Sequence, residues 1–181
     1  MYDNIFKLHS DLLKAMAHPK RLEIIHLLRE TEISVSDIQA MLNMPQAYLS
    51  QHLQVLRHYH VVASRRQGKT IYYRLTHKNF IASCDLLRQF LVDTTPQDPL
   101  MKHLHHRLSD LLPTATDPVC GMTLTPSTAS FFHMHDGSIY YFCASGCHKR
   151  FAKEPEKFLP CRLPADRQVL PNNHQLHSSR V

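Results

Sequence analysis

Tryptophan is absent from these 181 residues, glycine occurs only four times, and no uninterrupted apolar run approaches the roughly 18 residues that a membrane span requires. The N-terminal MYDNIFKLHSDLLK also lacks the apolar stretch of a signal peptide, so the expected location is the cytoplasm, with no membrane partner. So few glycines leave no phosphate-cradling loop, and no nucleophile, base and orienting group stand together, which argues against an enzyme. The five cysteines, Cys84, Cys120, Cys143, Cys147 and Cys161, are an odd set, which argues against a simple disulfide framework. In a reducing compartment such thiols point instead to metal ligands or reactive groups. Acidic residues are missing between Asp37 and Asp85, whereas Arg57, Arg65, Arg66, Lys69, Arg74 and Lys78 all fall there. With a formal net charge of +6, this run reads as a polyanion-facing surface, the competing reading being a solvated basic face.

What is present is organised as two small units. Hydrophobic residues make up 43% of the chain, enough for folded cores. Apolar spacing over residues 10–30 predicts two amphipathic helices that meet at His18-Pro19. Ser34 and Asp37 form a capping pattern ahead of a third helix, and Asn43-Met44-Pro45 breaks it from a fourth, whose Leu49, Leu53 and Leu56 face inward. That pair has the form of a helix-turn-helix. VVASRR and TIYYRL, around Gly68, predict a basic hairpin beside it, a wing. A further helix is predicted over 78–92 and another over 100–111, and PTATDP, 113–118, reads as a linker. The expected fold class is mainly α with small β elements, an α+β chain.

The order of helices, the motif AMAHPKRLEIIHLL, the segment LSQHLQVLR and the wing RRQGKTIYYRL together resemble the ArsR/SmtB family of winged-helix repressors. The resemblance implies a homodimer that pairs through the first and last helices of the domain and releases double-stranded operator DNA when an inducer binds. Two recognition helices across a dyad can enter successive major grooves, while wings reach phosphates or a minor groove. The implied DNA-facing residues are Gln46, Ala47, Tyr48, Ser50 and Gln51 on the recognition helix, with Arg65, Arg66 and Lys69 on the wing mostly against phosphates. Pro45 replaces a common capping serine, and His60 stands where a glycine usually ends the recognition helix. Metal sensors of the family often carry thiolates in the third helix, where this chain has Ser34 and Ser36, poor ligands for soft metals. His77, Cys84 and Asp85 make an incomplete second sensor set, so Cys84 reads as a core or dimer-interface residue.

Residues 117–159, with DPVCGM, GSIYYFC and a C-x3-C followed by RF and EPEKF, resemble the YHS domain, a small module related to TRASH-type metal-binding domains. Cys120-Gly121 reads as a tight turn, and Cys143 and Cys147 share one side if a strand runs into a helix near Ala144. Three thiolates suit a soft ion, Cu(I) first, whereas tetrahedral Zn(II) needs a fourth donor, with His133, His135, His148 and Cys161 as candidates. The alternating HMH at 133–135 puts both imidazoles on one side of a strand, though two exposed hairpin histidines would look the same.

The expected organisation is therefore 1–93 winged helix-turn-helix and dimerisation domain, 94–116 helix and linker, 117–160 YHS metal-binding domain, and 161–181 polar tail. The leading expectation is a transcriptional repressor whose YHS domain senses a soft metal. Two alternatives stay open: a redox- or reactive-sulfur-sensing repressor working through Cys143 and Cys147, and a metal-trafficking protein using the winged domain as a dimer platform.

Overall fold

The computed structural model describes residues 2–29, 31–95, 115–124 and 129–159. The expected helix over 100–111 and the tail from Cys161 lie outside them.

Two helices open the chain, α1 (Tyr2–Met16) and α2 (Pro19–Leu27). They break where expected because Pro19 suits a first helical position, and the His18 ring caps α2 by accepting from the Lys20 N–H (Nδ1, 3.1 Å). The helix α3 (Val35–Leu42) is capped by Ser34, whose Oγ accepts from the Asp37 N–H at 3.1 Å. Asn43, with φ 48°, ends it in the left-handed conformation that asparagine tolerates, and α4 (Gln46–His58) follows. Pro45 proves to be the N-cap of α4 and, lacking a side-chain acceptor, caps nothing.

At the far end of α4, His60 has φ 57°. Its N–H donates to the Arg57 carbonyl (3.0 Å) and the Val61 N–H donates to that of Leu56 (2.9 Å), a Schellman ending that glycine normally occupies. Histidine thus fills the glycine position without disrupting the turn. The wing follows as β2 (Val62–Gln67) and β3 (Thr70–Leu75), an antiparallel pair closed by Gly68-Lys69, with β1 (Ile33–Ser34) on the other edge of β3. Helix α5 (Asn79–Thr94) packs back on α2. Leu49, Leu53 and Leu56 are buried with Ile24, Ile25, Leu28 and Ile38, which places α4 firmly on the core.

The described residues of the C-terminal unit form four short strands in two antiparallel pairs and one α-helix. The pair β4 (Ala115–Thr116) and β5 (Thr123–Leu124) frames a loop. The hairpin β6 (Phe131–His135) and β7 (Ser138–Phe142) turns at Asp136-Gly137, both at positive φ (47° and 72°), as a type I′ turn requires. Chain direction then changes at Ala144 into α6 (Ser145–Lys153), and a 3₁₀ turn follows at Pro155–Lys157. Phe142 and Phe151 are fully buried, with ring centroids 5.1 Å apart, at the centre of this unit. Helix α6 also lies against α3, so the two units share one continuous core. No helix among the described residues is long and apolar enough to cross a membrane.

An ion pair ties the chain just beyond α2 to α5: Arg29 donates to Asp85 at 2.8 Å, and the Arg88 guanidinium on α5 lies 3.1 Å from His26 Nε2 on α2. Burial first, and then the neighbouring Arg88 and Arg29 charges, lower the His26 pKa from 6.5 to about 4, Asp85 opposing weakly. The unfolded chain therefore binds a proton at His26 at higher pH than the folded chain does. Stability from this group is complete above pH 6.5 and is lost as pH falls toward 4. The expected loss is at most about 3 kcal/mol, read from urea unfolding across that interval, and His26→Gln should flatten that part of the profile.

Candidate metal centre and nucleic-acid interface

The loop between β4 and β5 carries Asp117 and Cys120. The Asp117 N–H donates to the Met122 carbonyl (2.9 Å) and the Gly121 N–H to that of Asp117 (2.8 Å), while Gly121, at φ 75°, allows the tight return. The Asp117 side chain is fully buried and works in two directions. Its Oδ1 accepts from the N–H groups of Val119 (2.9 Å) and Cys120 (3.4 Å), turning the loop over. Its Oδ2 accepts from the Cys143 N–H (2.9 Å), pinning the end of β7 beside that loop. One carboxylate thus gathers both cysteine-bearing segments.

The thiols converge as a result. Cys120 Sγ lies 3.6 Å from Cys143 Sγ, which lies 3.8 Å from Cys147 Sγ, and all three are free. Cys143 ends the extended segment and Cys147 sits in the first turn of α6, so the change from strand to helix brings the i and i+4 sulfurs to one side. One ligand atom from each of these cysteines and from Asp117 fall within 4.8 Å of one another. A tetrahedral ion with metal–sulfur bonds of about 2.3 Å needs sulfurs about 3.8 Å apart. The observed separations match that edge, so the donor set fits a thiophilic ion in both spacing and chemistry.

The electrostatics distinguish the three sulfurs. Hydrogen bonds from the Cys143 and Cys147 thiols hold Cys120 well below the usual thiol range. The same bonds to Cys120, with burial added, push Cys143 and Cys147 up. Cys120, the only one of the three that is partly exposed, therefore carries the first negative charge. Burial raises the Asp117 carboxyl, offset in part by the N–H groups of Cys143 and Val119.

Of the histidines named as extra donors, none joins the thiol group. His133 and His148 pack among rings, with centroids 5.6 Å apart, and His148 also stacks on Phe131 at 6.0 Å. His133 and His135 do share one side of β6, as their alternation predicts, and both meet the Phe151 ring edge-on. His135 forms a separate, largely exposed group with Asp136 and Glu156. Cys161 lies outside the described residues, and Cys84 is buried on α5, away from the other thiols, with its pKa raised by burial.

The expected DNA face is laid out along α4 and the wing. Gln46, Ala47, Tyr48, Ser50 and Gln51 are all exposed, and Tyr48 retains 59% of its surface. Arg65, Arg66 and Lys69 are exposed at the hairpin. Arg65 is engaged, donating to Glu32 (2.5 Å) and Gln67 (2.8 Å) and lying 4.9 Å from the Tyr72 ring centre. Arg66 donates to the Gly68 carbonyl at 3.0 Å.

The linker expected over 113–118 gives way from Ala115 onward to the folded C-terminal unit, since Ala115–Thr116 form β4 against β5, and Asp117, next in the chain, is a site residue to which the sequence reading gave no role. Its signal was nonetheless present: an aspartate three residues before a cysteine in D-P-V-C is a side-chain-capped turn. Replacing it by Asn keeps one acceptor but sets an amide NH2 against a backbone N–H and removes the charge. Asp117→Asn should cost about 2–3 kcal/mol of stability in the metal-free protein, read by urea unfolding with near-UV dichroism of the aromatic hairpin.

Two family models match separate stretches of the chain. Residues 115–162 match the YHS domain, and residues 18–63 match the bacterial regulatory protein, arsR family. The transcriptional activator HlyU of Vibrio cholerae is 38% identical over 78 residues, 43% of this chain and 72% of that protein. The biofilm growth-associated repressor of Agrobacterium fabrum is 47% identical over 64 residues, 35% of this chain and 55% of the repressor. The HTH-type transcriptional repressor SmtB of Mycobacterium tuberculosis is 40% identical over 65 residues, 36% of this chain and 48% of that protein. A winged helix-turn-helix built on α3, α4 and the β2–β3 hairpin, matched in sequence to these regulators and continued by a YHS unit, places the chain in the ArsR/SmtB family of transcriptional regulators.

Proposed function

We propose that this regulator is a dimeric, operator-binding repressor in which Cys120, Cys143 and Cys147 bind Cu(I), and that occupancy of this site changes operator affinity. The observation that carries the reading is the convergence of three free thiols at 3.6 and 3.8 Å with no histidine among them in the described residues. An all-sulfur set favours a soft ion. The third-helix position used for sensing elsewhere in the family supports the same reading from the other side, because Ser34 is buried and committed to capping α3. Zn(II) is the second reading, favoured by Asp117 as a fourth donor within the same 4.8 Å group.

In this reading Gln46, Ser50 and Gln51 face base edges, Ala47 and Tyr48 complete the groove surface, and Arg65, Arg66 and Lys69 meet phosphates. Arg65 would exchange Glu32 for a phosphate, so wing contacts add salt dependence. Apolar residues exposed on α1 (Ile5, Phe6, Leu8) and α5 (Leu86, Phe90, Leu91) supply the dimer surface.

Coupling of about 1–3 kcal/mol between metal site and operator site changes DNA affinity about 5- to 150-fold. Titrating Cu(I), Ag(I), Zn(II) and Cd(II) against operator-bound protein should give a change of that size with Cu(I) and Ag(I). The response should vanish in Cys143→Ser/Cys147→Ser, and one that survives the double substitution would move sensing to another part of the chain. A response to persulfide or oxidant with none to metals would select the thiol-redox alternative. For the dimer, Leu86→Glu with Phe90→Glu should yield monomers in sedimentation and weaken operator binding. Retention of the dimer would remove α5 from the interface.

A further inference from the structure

Helix α6, which carries Cys147, is held at its N-terminus by the winged domain rather than by its own unit. Its N-cap is Ala144, which offers no side-chain acceptor. The orphan N–H of Ser145 donates instead to Glu23 Oε2 on α2, at 3.1 Å across 122 positions of sequence. Lys20 completes the clamp by donating to Ser145 Oγ and to Glu23 Oε1, the latter at 2.9 Å. Beside it Gly146, buried, rests on the last turn of α3. A Cβ at Gly146 would overlap the Met41 carbonyl oxygen, the Leu42 carbonyl carbon and the Asn43 nitrogen, all backbone atoms. This seat is the turn between α3 and α4, where Asn43 takes its left-handed conformation and the recognition helix begins two residues after Met44. With Ala144, Ser145 and Gly146 are also the residues that link Cys143 to Cys147.

We infer that the thiol cluster and the DNA-reading helix are coupled by direct contact: the first turn of α6, capped by Glu23 and seated through Gly146 on the α3–α4 turn, transmits the state of the cysteines to α4. Any rearrangement of Cys147 relative to Cys143 displaces this turn, and the backbone-to-backbone seat leaves no flexible side chain to absorb the shift. The inference rests on the metal-responsive reading above and assigns its route. The segment joining the two units need not carry the signal.

Gly146→Ala tests the route. It removes no thiol, and alanine is the better helix former, so loss of response traces to the crowded seat rather than to helix propensity or a missing ligand, with Cu(I) affinity reporting any strain passed to Cys147. Hydrogen exchange of the full-length protein is followed at Met41–Gln46 with and without Cu(I), alongside Cu(I) affinity by chelator competition and operator affinity. In wild type, Cu(I) should change exchange at 41–46 and shift operator affinity about 5- to 150-fold. In Gly146→Ala, Cu(I) uptake should persist while both responses disappear. Glu23→Ala, which uncaps α6 without crowding, should shrink both responses and serves if the alanine variant is poorly folded. Unchanged exchange at 41–46 on Cu(I) loading of wild type overturns the route, as does a full operator response in Gly146→Ala. Changed exchange with no operator response keeps the contact and overturns the sensing reading. A wild-type chain that takes up no Cu(I) overturns both.

Discussion

At Gly146 two backbones approach closely enough that no side-chain carbon fits between α6 and the end of α3. That approach decides how the halves of the chain sit, because the thiol cluster grows directly out of the same turn. Cys143 lies before it and Cys147 within it, so the position of the sulfurs and the position of the recognition helix are fixed by neighbouring atoms. Glu23 adds directionality, since a carboxylate at a helix N-terminus satisfies an orphan N–H and complements the helix dipole. A regulator assembled this way needs no long relay, and the interdomain clamp is made of charged and polar groups that can be re-formed.

The thiol site itself is an exercise in placing negative charge where burial disfavours it. Asp117 is wholly enclosed, and two of the three sulfurs are nearly so. Three backbone N–H groups compensate the carboxylate, and the thiol protons of Cys143 and Cys147 compensate the sulfur of Cys120. A thiophilic cation would relieve the same burden by replacing shared protons with metal bonds, which is why the arrangement reads as a binding site rather than as ordinary cysteine packing. The aromatic rings of Phe142, Phe151 and Tyr140 pack together under α6 as the C-terminal part of the shared core, and the histidines of β6 and α6 lie in ring contacts outside the thiol group.

Much of the fold was legible from local chemistry. Pro19 after His18, Ser34 three residues before Asp37, and Gly68 between two β-branched arms each mark a boundary within a few residues, and the backbone follows them. His60 looked out of place for its position, yet its left-handed conformation needs only a residue that tolerates it and two carbonyls to bond, both supplied by α4. The cysteine trio was legible because donor type and i, i+4 spacing survive in a linear string. The histidines were not, since alternation tells which side of a strand they share but not whether that side meets sulfur or Phe151.

The sequence by itself determined the breaks between the helices of the winged unit, its two-stranded wing, the exposed amide and basic residues of α4 and the wing, and the identity of the three thiols, but neither the early start of α1 nor the short strands β1, β4 and β5. These depend on interactions within a few residues or on side-chain chemistry alone. Only the tertiary structure decided that Asp117 bridges the two cysteine segments, that Glu23 caps a helix 122 positions away, and that Gly146 seats on the α3–α4 turn. Each of these is a contact between segments remote in sequence, chosen by the packing of a shared core that no local pattern encodes.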